Sequence, residues 1–202
     1  VGNLLSAEVI IEGFRPYFWH FFGPDAIPLE RGERTGVAGN DPESWKKTVL
    51  FTQDKKRTLL VMPTQVFRCV RDGARHTKLG KGSLQSKVEA TLQVTDTMIA
   101  FDRSLPEEKD LKINDYTSSV YIDQRGTKNP ATKAKNVTYR VVASPPWTLT
   151  YHLMWDKTVV SREQMEAINI DAGMLEGLGN ARKIGMGRFH ITAFTVKDET
   201  KR

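Results

Sequence analysis

Cysteine is almost missing from this chain. Cys69 stands alone among 202 residues, which excludes an internal disulfide and a cysteine-based zinc site. No apolar run approaches the roughly 18 to 20 residues that a membrane span requires. The longest aromatic cluster, Tyr17 to Phe22, is far too short. The start, Val1-Gly2-Asn3, has neither the basic nor the apolar region of a secretory leader, and an initiator methionine is missing. Together these absences suggest a reducing, cytoplasmic setting with no membrane partner. HExxH, H-x-E with cysteines and a Walker loop are all absent, and Asp102, Glu107, Glu108 and Asp110 around Pro106 have no metal-pair spacing. The chain is therefore expected to need no metal and no cofactor.

What is present fits one substantial core: 39% hydrophobic and 27% charged residues. We expect a single domain over residues 1–202 with insertions at about 23–46 and 105–135. The formal charge of +6 favours a polyanionic partner. Much of the positive charge sits in loops, at Lys78 and Lys81, at Lys128, Lys133 and Lys135, and at Arg182, Lys183 and Arg188.

Hydrophobic periodicity orders the elements. Residues 7–12 read as a first strand. The aromatic-rich stretch Phe14 to Phe22, with Arg15 and His20 inside it, is either a core plug or a base-stacking platform. Residues 23–45 read as an extended loop, and 47–52 with 57–62 as a hairpin. Pro63 opens a helix whose buried stripe is Val66, Cys69, Val70, Gly73 and Ala74. Residues 79–87 read as a loop, 88–94 as a strand by alternation, and 98–101 as its hairpin partner. Val120 to Ile122, 136–143 and 147–155 read as further strands. Ser161 with Gln164 forms a capping box that starts a helix with the stripe Met165, Ile168, Ala172 and Leu175. In the last strand Phe189, Ile191 and Ala193 alternate with His190, Thr192 and Phe194.

Between that helix and that strand lies Gly177-Leu178-Gly179, five residues, then Gly185-Met186-Gly187-Arg188. Four glycines within eleven residues imply positive φ or close approach. Their N–H groups could form an anion-binding concavity, with Arg182, Lys183 and Arg188 adding charge-assisted contacts. Alternatively, the glycines serve only tight helix–strand packing. With the insertions removed, the order is βαββαβ. That is α+β, a ferredoxin-like or RRM-like core with a thumb-like β-hairpin insertion and a glycine-rich loop before the last strand.

A loop of the form G-h-G-x5-G-h-G (h apolar) in this position resembles the RAMP superfamily of CRISPR-associated proteins. Agreement is complete at Gly177, Leu178, Gly179, Gly185, Met186 and Gly187, and covers about residues 136–196 in detail. The single core and the 105–135 insertion are most similar to the guide-RNA-binding backbone subunit (Cas-seven type), as a minimal or divergent member. That resemblance implies a non-catalytic subunit that grips single-stranded RNA, which would pair with a DNA or RNA target. It also implies copies of the chain arrayed along the strand with other effector-complex subunits. The nucleic-acid-binding residues would be Gly177, Gly179, Arg182, Lys183, Gly185, Gly187 and Arg188. Arg15, His20 and Arg75 would join them, with Lys78, Lys81 and Lys87 on the open sheet face and Lys128, Lys133 and Lys135 at the thumb tip. The alternative within the superfamily is a metal-independent endoribonuclease using His20 or His76. His152 and His190 are expected on a sheet surface. A loop aspartate, Asp25 or Asp41, is the remaining candidate for RNA cutting.

Overall fold

The structure, a computed structural model, describes residues 2–21, 41–128 and 135–198. Asp25, Lys133 and most of the 23–46 insertion lie outside the described residues. The strands are β1 (Leu4–Gly13), β2 (Tyr17–Phe18), β3 (Thr58–Val61), β4 (Lys78–Leu79), β5 (Gly82–Ser83), β6 (Gln93–Val94), β7 (Ile99–Ser104), β8 (Val120–Lys128), β9 (Lys135–Ala143), β10 (Trp147–Asp156) and β11 (Phe189–Asp198). The helices are α1 (Pro63–Gly73), α2 (Gln85–Thr91) and α3 (Arg162–Asp171). Among the described residues, no helix is long and apolar enough to cross a membrane.

Two units emerge from the packing. The first comprises residues 1–17, 60–102 and 145–202, and the second 18–59 and 103–144. In the first, the sheet runs β11-β1-β10 with β6 and β7 on the far side of β10, then β3. Last strand, first, third, second is the antiparallel ferredoxin-like order, with the helices on one face. β10 shows why: Trp147, Leu149, Tyr151, Leu153 and Trp155 are at most 2% exposed, whereas Thr148, Thr150 and His152 face out. The buried polar ends on this strand are satisfied. Tyr151 Oη donates to Asn169 Oδ1 (2.9 Å) and Trp155 Nε1 to the Val160 carbonyl (3.0 Å).

The expected capping box is complete: Ser161 accepts from the Gln164 N–H, and the Gln164 side chain accepts from the Ser161 N–H. Pro63 occupies the first helical turn of α1 as expected.

Four local expectations are corrected. Residues 85–91 form α2, with only Gln93–Val94 extended, because Leu84, Val88 and Leu92, spaced four apart, make a buried helical stripe. The 79–87 region accordingly contains the β4–β5 hairpin and the start of α2. Residues 99–104 do not pair with 93–94; both segments pair with β10, at Phe101↔Leu149 and Val94↔Leu153. Residues 44–47 form a 3₁₀ turn that buries Trp45, so the expected hairpin shrinks to the single bridge Phe51↔Leu59. In β11, the register skips Thr192 between Ile191 and Ala193. This bulge turns Phe194 from the outer face onto the core, opposite Val9 and 6.3 Å from Trp155.

The second unit holds the three-stranded sheet β2-β9-β8. β8 and β9 form a hairpin, in register from Val120↔Ala143 to Lys128↔Lys135, so the strand expected at 136–143 is the partner of the expected 105–135 insertion and the hairpin runs past its bound to Ala143.

Candidate nucleic-acid interface

All four loop glycines have positive φ, from +67° at Gly187 to +79° at Gly185. Two of them also lie under backbone. A Cβ on Gly187 would come 1.8 Å from the Leu178 carbonyl oxygen, and one on Gly177 would come 2.6 Å from that of Met186. Leu178 N–H donates to the Gly187 carbonyl (2.8 Å), and Gly187 N–H donates to that of Pro16 (2.8 Å). The Arg188 carbonyl then accepts from Phe14 and Arg15 N–H. The loop is thus pinned to the end of β1.

This geometry narrows the expected anion concavity. The N–H groups of Gly177, Leu178, Ala181, Ile184, Gly185, Met186 and Gly187 all bond within the protein, so Gly177, Gly185 and Gly187 shape the loop and their N–H groups are not offered to an anion.

Charged side chains line an open groove of about 800 Å³ in the first unit, bounded by the end of α1, the turn after α3 and the loop. Arg75, His76, Gly179, Arg182, Lys183 and Arg188 meet there. Sequence reading missed the two carboxylates among them, Asp72 and Glu176. Glu176 receives a bidentate pair from Arg75 (2.7 and 2.9 Å), His76 Nε2 at 2.8 Å and Arg182 Nη2 at 3.2 Å. Arg182 Nη2 also reaches Asp72 Oδ2 at 2.8 Å. Close packing brings these groups together: a Cβ on Gly73 would touch Ala172 at 2.7 Å.

Burial works against ionisation of Glu176, but hydrogen bonds from His76 and Arg75 and the charges of Arg75 and Arg182 overcome it and hold the pKa down. Asp72 behaves alike: its burial is outweighed by Arg71 and Arg182. A depressed carboxylate pKa contributes stability that is complete above the ordinary carboxylate range and is lost as pH falls through the folded-state value. Thermal melts should therefore show Glu176→Gln less stable than the parent at pH 7, with the gap closing on acidification. A gap independent of pH would remove this account.

Arg182 and Arg75 are thus committed to carboxylates. Lys183 is exposed, and the Arg188 Nη1 atom is buried with no hydrogen-bond partner. Burial lowers the Arg188 pKa, Glu176 and Cys69 oppose that, and Arg182 adds to it; a guanidinium stays charged regardless. The groove carries four cationic side chains against two carboxylates, with its unspent charge at Lys183 and Arg188.

Other expected site residues lie elsewhere. Lys78, Lys81 and Lys87 are exposed but belong to the β4–β5 hairpin and α2, on the helix side, not on the open sheet face. That face carries Glu8, Glu12, Asp96 and Asp102, with His152 Nδ1 held 2.9 Å from Asp96. His152 and His190 do sit on it. The stacking reading of the aromatic stretch is corrected too: Tyr17, Phe18 and Trp19 are at most 1% exposed and form the core plug. Phe14 is the exposed one, stacked on His190 at 4.4 Å. Arg15 is exposed beside the loop; its carbonyl accepts from Trp147 Nε1 at 2.8 Å. His20 belongs to the second unit, its pKa lowered by burial and by the charge of Arg140. Lys128 and Lys135 are the last described backbone pair of the β8–β9 hairpin.

No family model and no curated protein matches this chain. Among solved structures it is similar to a chain in the cryo-EM structure of the Type III-B Cmr-beta bound to cognate target RNA. The TM-score is 0.54 at 12% identity, over 97% of this chain and 61% of that one. The chain thus spans about three fifths of that neighbour's length.

Proposed function

We propose that this chain is a non-catalytic nucleic-acid-binding subunit of the RAMP type. It grips the phosphate backbone of a single-stranded guide RNA in a CRISPR-type effector complex, beside copies of itself and other subunits. The observation that carries the reading is the glycine-loop groove, lined by the exposed Lys183 and by Arg188, whose Nη1 atom has no hydrogen-bond partner within the protein. The similarity to a chain of an RNA-bound complex supports it. The acidic open face argues that RNA lies on the groove and not on the sheet as in an RRM.

Fluorescence anisotropy with a labelled 30-nucleotide RNA tests the reading. Affinity should fall steeply with salt, about 0.7 log units per log unit of salt for each phosphate contacted. Longer strands should take up further copies, seen as stepwise mass by light scattering. No binding at low salt would defeat the proposal.

One observation favours a second reading. His76, held by Glu176 inside the groove, has the arrangement of a general base oriented by a carboxylate. RNA incubated with the protein without metal is expected to stay intact. Cleavage that His76→Ala abolishes would establish the endoribonuclease instead.

A further inference from the structure

The stretch after α3 does more than end a helix. Gly177 N–H donates to the Ala172 carbonyl at 2.8 Å, a five-residue step that makes residues 172–176 a π turn. At ordinary helical spacing, Leu175 would continue the buried stripe of Met165, Ile168 and Ala172. The wider turn instead buries Glu176 under the arginines and leaves Leu175 46% exposed on the groove wall. Met174 before it is 44% exposed, and Ile184, next to Lys183, is 59% exposed. Single exposed apolar side chains are ordinary. Here four of the nine large ones exposed among the described residues fall within 170–184, and one of them, Leu175, lines the groove together with Lys183 and Arg188. Apolar surface maintained beside such charge points to a ligand with both characters.

We infer that the groove takes an unpaired strand with its bases turned onto an apolar lip centred on Leu175, while Lys183 and Arg188 hold its phosphates. This rests on the reading that the groove grips a nucleic-acid backbone. It adds that unpaired bases are part of what is bound. A single strand offers an anionic chain and free apolar base faces together. A duplex offers the same charge with its base faces covered, so the lip would gain nothing from it.

The experiment compares three probes of equal length on the full chain by competition anisotropy at one salt concentration: oligouridylate, the same phosphate chain without bases, and a duplex. The base-bearing single strand should bind on the order of tenfold more tightly than the abasic chain. Leu175→Ser should weaken oligouridylate by about fivefold, roughly the loss from no longer covering the exposed part of a leucine side chain, and leave the abasic chain unchanged. Because Leu175 is exposed, this variant should keep the parent's melting temperature; Met174→Ser, at an exposed neighbour that does not line the groove, is the control and should bind oligouridylate as the parent does. Equal binding of abasic and base-bearing chains would overturn the lip while leaving the backbone grip intact. So would a Leu175→Ser loss shared by both probes. If none of the three probes bound at low salt, the grip and the lip would fall together.

Discussion

Gly187→Ala should destabilise the protein by about 4 kcal/mol or more, the range reserved for a named steric or network failure. Two effects combine. Alanine in the left-handed region costs about 1–2 kcal/mol before any contact is considered, and Gly187 sits at φ +67°. The new Cβ would then lie 1.8 Å from the Leu178 carbonyl oxygen. That oxygen is main chain, so no rotamer change relieves the overlap. Moving it would break the Leu178–Gly187 hydrogen bond and the Gly187–Pro16 hydrogen bond that ties the loop to the end of β1. For a chain of this size, about 2–4 °C per kcal/mol translates the loss into a fall of roughly 10 °C or more in Tm. Gly185→Ala is the internal control. It has φ +79° but nothing within 4 Å of the added atom, so it should lose only the conformational part. Equal melting temperatures for the two variants would show that the loop absorbs the clash, and that packing is not what holds its shape.

The second large effect concerns binding. The double variant Lys183→Ala with Arg188→Ala should weaken RNA affinity by about ten- to a hundredfold at moderate salt and flatten the salt slope by about 1.4, the share of two single-strand phosphate contacts. The loss should be the same for every RNA sequence, because phosphates carry no sequence information. Arg182→Ala, by contrast, removes the bridge between Asp72 and Glu176, which lie in a site where both carboxylates are largely covered. Its expected signature is a lower Tm, since two partly buried carboxylates lose a partner. Dissociating these two readouts is the decisive feature. A folded double variant that binds RNA like the parent would exclude the groove as the backbone grip.

Much of the fold was legible because it rests on local patterns. The five large side chains alternating through β10 leave no other way to bury Trp147 and Trp155. Ser161 and Gln164 announce the start of α3 by a hydrogen-bonding arrangement that spans four residues. Where the pattern misled, two periods competed. Val88, Leu92 and Val94 satisfy alternation, but Leu84, Val88 and Leu92 satisfy the helical repeat, and the helix side of the sheet needed a stripe to cover it. The bulge at Thr192 has no signature in the residues themselves. It is set by the register against β1, which depends on Val9 and Ile10 nearly two hundred residues away.

The site divides in the same way. The sequence by itself determined that a positive-φ loop lies before the last strand and that Arg182, Lys183 and Arg188 accompany it, because glycine's missing side chain and a cation's charge are properties of single residues. Only the tertiary structure decided what those residues do. The contact of Gly73 with Ala172 brings Asp72, Arg75 and His76 against Glu176 about a hundred positions later, and the π turn swings Glu176 in and Leu175 out. Charge neutralisation depends on distances of about 3 Å, and such distances between remote segments arise only from packing. Which cations are spent on the protein and which are left for a ligand is therefore a property of the fold.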